Sequence, residues 1–396
     1  MRIAIFNRIF SKKAGGAERY SVALVEELAA KHEFHVFAQD IDHVWPGVTY
    51  HRISAPLRRF RWLNQLWYAT ATWWLTRRGS RQGSNAGFDI VHSHENTWHG
   101  QVQTVHVLPI KHNLFSENLF NTKRGLQKSK AWLKIKTWLK IGSSPRLLTY
   151  LALEKARFAT QQGRHIIVTS PSLQGIFEAS YPQSKNPISV ITPGVAKAVL
   201  VDKAEAKRLL GLPADGFTIA FVGNRYDIKG LPTLLVALQA LPAHVNLLVV
   251  GNAGEVGFYQ LQAEKLGISD RVKFLGAVNG VEQVYQAADC LAHPTLEDTF
   301  AMVVLEAMSY GLPVVVSCEK YCGIAGLLTN GLNALILDNP KNATELSEAL
   351  KKLLLNNELR NTLSHQAAQF AVGFSWAELA RQQEAVYLSV KAEFER

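Results

Sequence analysis

Apolar residues in this chain come in short runs, spaced by polar residues at two different periods. RIAIFN (2–7), FHVFAQ (34–39), FDIVHSH (88–94), QVQTVH (101–106) and HIIVTS (165–170) read as short buried strands, while AERYSVALVEELAAK (17–31) repeats its apolar positions as an amphipathic helix does. The second half repeats the alternation: FTIAFVG (217–223), VNLLVVG (245–251), VKFLG (272–276), CLAHPT (290–295) and LPVVVS (312–317) predict strands, and LPTLLVALQALP (231–242) a helix. Strands alternating with helices build βαβ units whose parallel sheet is covered on both faces. The expected fold class is α/β, with two Rossmann-like doubly wound domains facing a central cleft, because open parallel sheets bind ligands beyond the carboxyl ends of their strands. The stretch PGVAKAVLVD (193–202) predicts the connection, which sets one domain at 1–193 and the second at 194–372.

Within this pattern, FAMVVLEAMSYG (300–311) reads as a buried helix ending at Gly311, and Glu306 is the only charged residue between Thr299 and Cys318. A carboxylate in apolar surroundings needs hydrogen-bond donors, supplied by the protein or by a ligand. Asp298 lies eight positions earlier, where the loop enters the helix, and shares a capping role there with Thr299. After the strand FTIAFV, the loop GNRYDIKG (223–230) holds Arg225 and Lys229 ahead of a helix that has Pro232 in its first turn. Free N–H groups and the dipole at such a point favour an anion, and a diphosphate would be well received. The motif GxxxxGK[ST] is missing, and the plain alternative is a surface turn.

SKKAGGAERY (11–20) follows the first strand, and Gly15 and Gly16 would let backbone approach a ligand closely. GxGxxG is absent, and an ordinary strand-to-helix turn is the alternative. His92 and His94 end one strand, and His106 ends the next. Their spacing puts His92 and His94 on one strand face, as two zinc ligands would require, but no carboxylate or thiol completes a site and no metal is expected. His106 is placed to hydrogen-bond a ligand hydroxyl.

Composition narrows the class. The chain has 396 residues, 47% hydrophobic and 19% charged, which predicts a globular protein of two or three domains. No run of about 18 apolar residues appears and the start lacks the apolar core of a secretory signal, so a cytoplasmic location is expected. Cys290, Cys318 and Cys322 fit neither a disulfide framework nor a zinc site and are expected to be free thiols. The formal charge of +11 is uneven: residues 1–180 hold 25 Lys and Arg against 11 Asp and Glu, residues 181–396 hold 18 against 21. Two basic aromatic stretches, 55–81 and 123–146, carry much of that excess. The second intersperses Trp132, Ile135 and Trp138 with lysines, as expected for a helix lying on an anionic membrane surface or packing on its own domain. Nucleic acid is the rival reading of such charge, set aside because no binding motif accompanies it.

Taken together, AGGAER, VHSHE, VQTVH, GNRYDIKG, GISDRVKFLGAV (267–278), the acidic residues around FAMVVLEAMSYGLPVV and the late FSWAELA (374–380) resemble the family-4 glycosyltransferases, retaining enzymes of the GT-B fold. The resemblance covers nearly the whole chain. It implies a nucleotide-sugar donor with no metal or other cofactor, and Glu306, the second carboxylate of an E-x7-E motif, as the residue that binds the ribose. Asp298 stands at the first acidic position where the family has Glu, near the reacting carbon of the donor sugar, and adjacent Glu297 is a substitute for it. Arg225 and Lys229 would clamp the diphosphate. The amides of Phe300, Ala301 and Met302 would face the donor, the loop at Ala277 and Val278 would hold the base, Gly16 would let the first domain close, and His106 would contact the transferred sugar. ITPGVAK (191–197) departs from the family's Asn-Gly-Val-Asp. The resemblance also implies that 373–396 cross back to the first domain, and that the acceptor is a lipopolysaccharide core or another lipid-linked saccharide met at a membrane face. A transferase for a soluble acceptor and a non-catalytic protein that binds nucleotide sugars or polyanions are the alternatives.

Overall fold

The computed structural model describes residues 1–77, 87–115, 139, 141–199, 201–278 and 280–394. The basic stretch 123–146 lies outside the described residues except for 139 and 141–146, as do residues 78–81 of the first stretch. The chain forms two compact units, Met1–Thr192 with Leu379–Arg396, and Pro193–Glu378. The return to the first unit therefore comes after Glu378, within the last helix rather than ahead of it at 373.

In the first unit the strands are β1 (Arg2–Phe6), β2 (Ile9–Phe10), β3 (Glu33–Ala38), β4 (Asp40–Ile41), β5 (Thr49–Arg52), β6 (Ile90–Ser93), β7 (Val102–Val105), β8 (His165–Val168) and β9 (Ile188–Val190). Seven of them make a parallel sheet in the order β5-β3-β1-β6-β7-β8-β9, and β2 pairs with β4 apart from it. The middle strands are buried on both faces: β1 is an apolar run, while β6 and β7 also bury His92, Ser93, Gln103 and Thr104. Chain order reverses between β1 and β6. The sequence pattern missed β5 and β9, short edge strands whose residues are half-buried or exposed.

Helix α1 (Gly16–Leu28) follows β1, and α2 (Arg61–Arg77) follows β5. The second helix inverts the usual pattern. Its inner face carries Asn64, Gln65, Tyr68, Thr72 and Thr76, while Leu66, Trp67, Trp74 and Leu75 are exposed. Burying those polar groups is tolerable because each finds a partner. Asn64 and Gln39 exchange amide hydrogen bonds of 2.9 and 3.0 Å, the Tyr68 hydroxyl donates to the Phe37 carbonyl at 2.7 Å, and Gln65 donates to the Asn96 carbonyl at 3.1 Å.

The second unit holds β10 (Phe217–Gly223), β11 (Val245–Gly251), β12 (Val272–Gly276), β13 (Cys290–His293), β14 (Val314–Ser317) and β15 (Leu335–Leu337), parallel in the order β12-β11-β10-β13-β14-β15. Its reversal falls between β10 and β13. Two apolar layers cover this sheet, one centred on Phe221, Leu234 and Leu247, the other on Val304, Leu305 and Val314. The three cysteines are free. Among the described residues no helix is long and apolar enough to cross a membrane.

Candidate functional site

The reversal point of the second sheet gathers the loops that follow β10 and β13. After β10 the chain makes a one-turn helix, α3 (Tyr226–Lys229), and then α4 (Leu231–Gln239). Between them Gly230 sits at φ 85, and a Cβ there would collide with the Pro294 carbonyl. Only glycine meets both demands. That contact, with the Leu296 amide donating to the Ile228 carbonyl at 2.7 Å, locks the loop of Lys229 against the loop of residues 294–298.

Asp298 is the centre of what results. Its Oδ1 accepts the Ala301 amide at 2.8 Å and the Phe300 amide at 3.4 Å. Its Oδ2 accepts Lys229 Nζ at 2.5 Å and His293 Nε2–H at 3.2 Å. Burial pushes this carboxyl up, but the hydrogen bond from His293 and the charge of Lys229 together outweigh it and hold the group well below the usual carboxylate range. His293 is fully buried, which lowers its own pKa and favours the neutral ring. Ala301 is the only non-glycine among the described residues at positive φ, 74, a conformation held by the hydrogen bond to Asp298.

The Phe300 and Ala301 amides, expected to face the donor, donate here to Asp298. Met302 opens α5 (Met302–Ser309). On that helix Glu306 is 6% exposed, and its Oε2 accepts the Tyr285 hydroxyl at 3.0 Å, so the protein itself supplies a donor to the buried carboxylate. Arg225 caps α3, its side chain exposed and 3.4 Å from Asp227. Glu297 is exposed, and its carbonyl accepts Lys229 Nζ at 3.0 Å. Val278 lines a pocket of about 340 Å³ with Leu210, Leu275, Gly280, Glu282 and Gln283.

Sequence reasoning missed His293 and Tyr285. His293 ends its strand and His106 directly follows one, a shared signal that could have been used. Nothing near Tyr285 in sequence points to Glu306.

In the first unit His106 follows β7, with its Nε2 2.8 Å from His94 Nδ1 and its ring against Tyr20. Burial, with Arg157 nearby, brings its pKa down to about 3, so the ring is neutral near pH 7. His92 Nδ1 lies 2.6 Å from the Tyr387 hydroxyl and Nε2 2.7 Å from Thr104 Oγ1. Gly15 caps α1 at φ −71, which any residue can adopt, so the turn itself does not require glycine there. Gly16 begins the helix.

Two Rossmann-like parallel sheets of this kind make the GT-B fold, and solved structures share it. A crystal structure of WaaG, a glycosyltransferase involved in lipopolysaccharide biosynthesis, matches with a TM-score of 0.78 at 21% identity over 97% of this chain and 99% of that one. Anabaena HepE in complex with UDP-glucose matches with a TM-score of 0.71 at 19% identity over 98% and 100%. Residues 14–198 match the family described as Glycosyltransferase Family 4, and residues 202–370 match Glycosyl transferases group 1. The chain belongs to the family-4 glycosyltransferases of the GT-B fold. A D-inositol 3-phosphate glycosyltransferase from Corynebacterium urealyticum is 30% identical over 242 residues, 57% of this chain and 56% of that protein. The chain thus spans about half the length of the curated relatives it matches.

Proposed function

We propose that this protein is a retaining glycosyltransferase that moves a sugar from a nucleotide-sugar donor to a saccharide acceptor without a metal ion. The observation that carries this reading is the meeting of Lys229, Asp298 and the helix of Glu306 at the reversal point of the second sheet, where doubly wound sheets bind nucleotides. Lys229 and Arg225 receive the diphosphate and stabilise the charge that develops on it as the glycosidic bond breaks. Glu306, oriented by Tyr285, binds the ribose, and the loop of Val278 holds the base. Asp298 serves the donor sugar, with Glu297 as the adjacent acid, and His106, Gly15 and Gly16 keep the roles implied by the family resemblance. HepE's complex with UDP-glucose supports a donor of this class.

The test is a thermal-shift screen of wild type and Glu306→Gln against nucleotide sugars and free nucleotides. A ligand at about 100 times its Kd adds roughly 2.7 kcal/mol of stability. One donor should stabilise wild type, and the variant should lose most of that response. If no nucleotide sugar stabilises wild type, the reading fails.

For the acceptor we infer a membrane-associated saccharide, a lipopolysaccharide core or another lipid-linked glycan, met from the cytoplasmic side. What supports it is the exposed face of α2, which carries Trp67 and Trp74, with Arg59 and Arg61 exposed at its start and Arg58 exposed but paired with Asp40, a composition suited to an anionic lipid surface. Co-sedimentation with anionic vesicles should fall severalfold when Trp67 and Trp74 are replaced by Ser, and should weaken with salt. The name of the inositol-phosphate relative favours the second reading, a small soluble acceptor, and that reading takes over if wild type ignores the vesicles.

A further inference from the structure

An ionised carboxylate accepts about four hydrogen bonds, and Asp298 has four donors. As the structure stands, it has no acceptor position left for a sugar hydroxyl. Lys229, the residue proposed to hold the diphosphate, is at the same time spent on Asp298. One of the two contacts has to give way before either group can serve a donor.

The four donors differ in how freely they can leave. Two are backbone amides of the turn built around Ala301. His293 is fully buried. Lys229 alone sits on a flexible stem with its side chain 21% exposed, and the stem passes over Gly223, where a Cβ would come within 2.8 Å of Lys229 Cγ. The ammonium can swing while the other three donors stay.

We propose that Asp298 and the diphosphate of a nucleoside diphosphate donor compete for Lys229, so that arrival of the diphosphate itself releases an oxygen of Asp298. This rests on the donor site proposed above. The empty site keeps both charges paired, which a partly buried lysine and carboxylate need. The loaded site gives the ammonium to phosphate oxygens and leaves the carboxylate held by His293 and the two amides. His293 is suited to remain, since its buried Nδ1 has no partner and the ring can take either neutral tautomer. For the same reason Asp298→Asn keeps its loop: the ring then presents Nε2 as an acceptor to the Asn amide.

Competition predicts a gain of affinity on removing an acidic residue of the site. Isothermal titration of inorganic pyrophosphate, and of UDP, ADP and GDP, into wild type, Asp298→Asn, Lys229→Met and the double variant tests it. Asp298→Asn should bind pyrophosphate about tenfold tighter than wild type, the low end of coupling measured for close charge pairs. The gain should vanish in the double variant. A second measurement needs no substitution: with 13C-labelled aspartate, the Asp298 carboxyl should titrate at higher pH once pyrophosphate is added, because it has lost a cation. If wild type binds through Lys229 yet Asp298→Asn binds no tighter and the carboxyl titration does not move, the competition is wrong and the diphosphate site stands. If pyrophosphate and the nucleotides bind none of the four proteins, both are wrong.

Discussion

At the scale of single residues, the chemistry of this chain is set by how a few buried charges find partners. Asp298 is ionised because a lysine and a histidine face it, and that arrangement has a pH signature. A carboxyl whose folded pKa is depressed adds stability above its unfolded value, about 3.9, and loses it as pH falls through the folded value. Wild type should therefore exceed Asp298→Asn by roughly 2 kcal/mol at pH 7, and the gap should begin to narrow below about pH 4 and close only as pH falls through the depressed folded value. Convergence at neutral pH would mean that the carboxylate is not held as the geometry implies. Glu306 is met differently: its buried Oε2 accepts a tyrosine hydroxyl, which orients the carboxylate.

At the scale of elements, loops are locked to one another through backbone contacts that no side-chain reading would find. Gly230 lets α3 and α4 pack under Pro294, and Gly251 lies so close to the Gly223 carbonyl that a side chain there would overlap it. Gly230→Ala should cost at least about 1–3 kcal/mol through its positive φ alone, and should also weaken binding of any ligand that uses Lys229. A variant of unchanged melting temperature would show that the loop is free to relax. The helix α2 makes the complementary point. Its apolar-to-polar pattern is turned inside out, because polar partners on Gln39, Phe37 and Asn96 receive its inner face.

At the scale of the whole molecule, the last helix, Trp376–Phe394, leaves the second unit and packs on the first. It buries Leu379, Val386, Tyr387 and Val390, and Glu384 reaches Lys31 at 3.0 Å and His32 at 2.9 Å. The Tyr387 hydroxyl completes the partners of His92, whose ring lies against that of His94, which in turn stacks on His106. Removing residues 379–396 uncovers the apolar surface of the first unit that Leu379, Val386, Tyr387 and Val390 cover, so that unit should lose about 4 kcal/mol or more while the second keeps its melting transition. Tyr387→Phe should cost about 1–2 kcal/mol by leaving His92 short of a partner. Equal melting of both units after truncation would count against this division.

The period of apolar positions determined most of the architecture by itself. FTIAFVG, VNLLVVG and VKFLG form strands over the residues expected; the first two are buried almost throughout and so read as largely apolar runs, while the third, at the sheet edge, is only half-buried. The lone charge of Glu306 and its spacing from Asp298 were legible for the same reason: a carboxylate in an apolar run has to be accounted for. Edge strands such as Thr49–Arg52 were not, because one exposed side leaves no strong pattern. Only the tertiary structure decided which donors Asp298 and Glu306 meet. Lys229 is 69 residues from Asp298 in sequence and Tyr285 is 21 from Glu306, and these pairs arise from the order in which parallel strands assemble, a long-range choice that local periodicity does not encode.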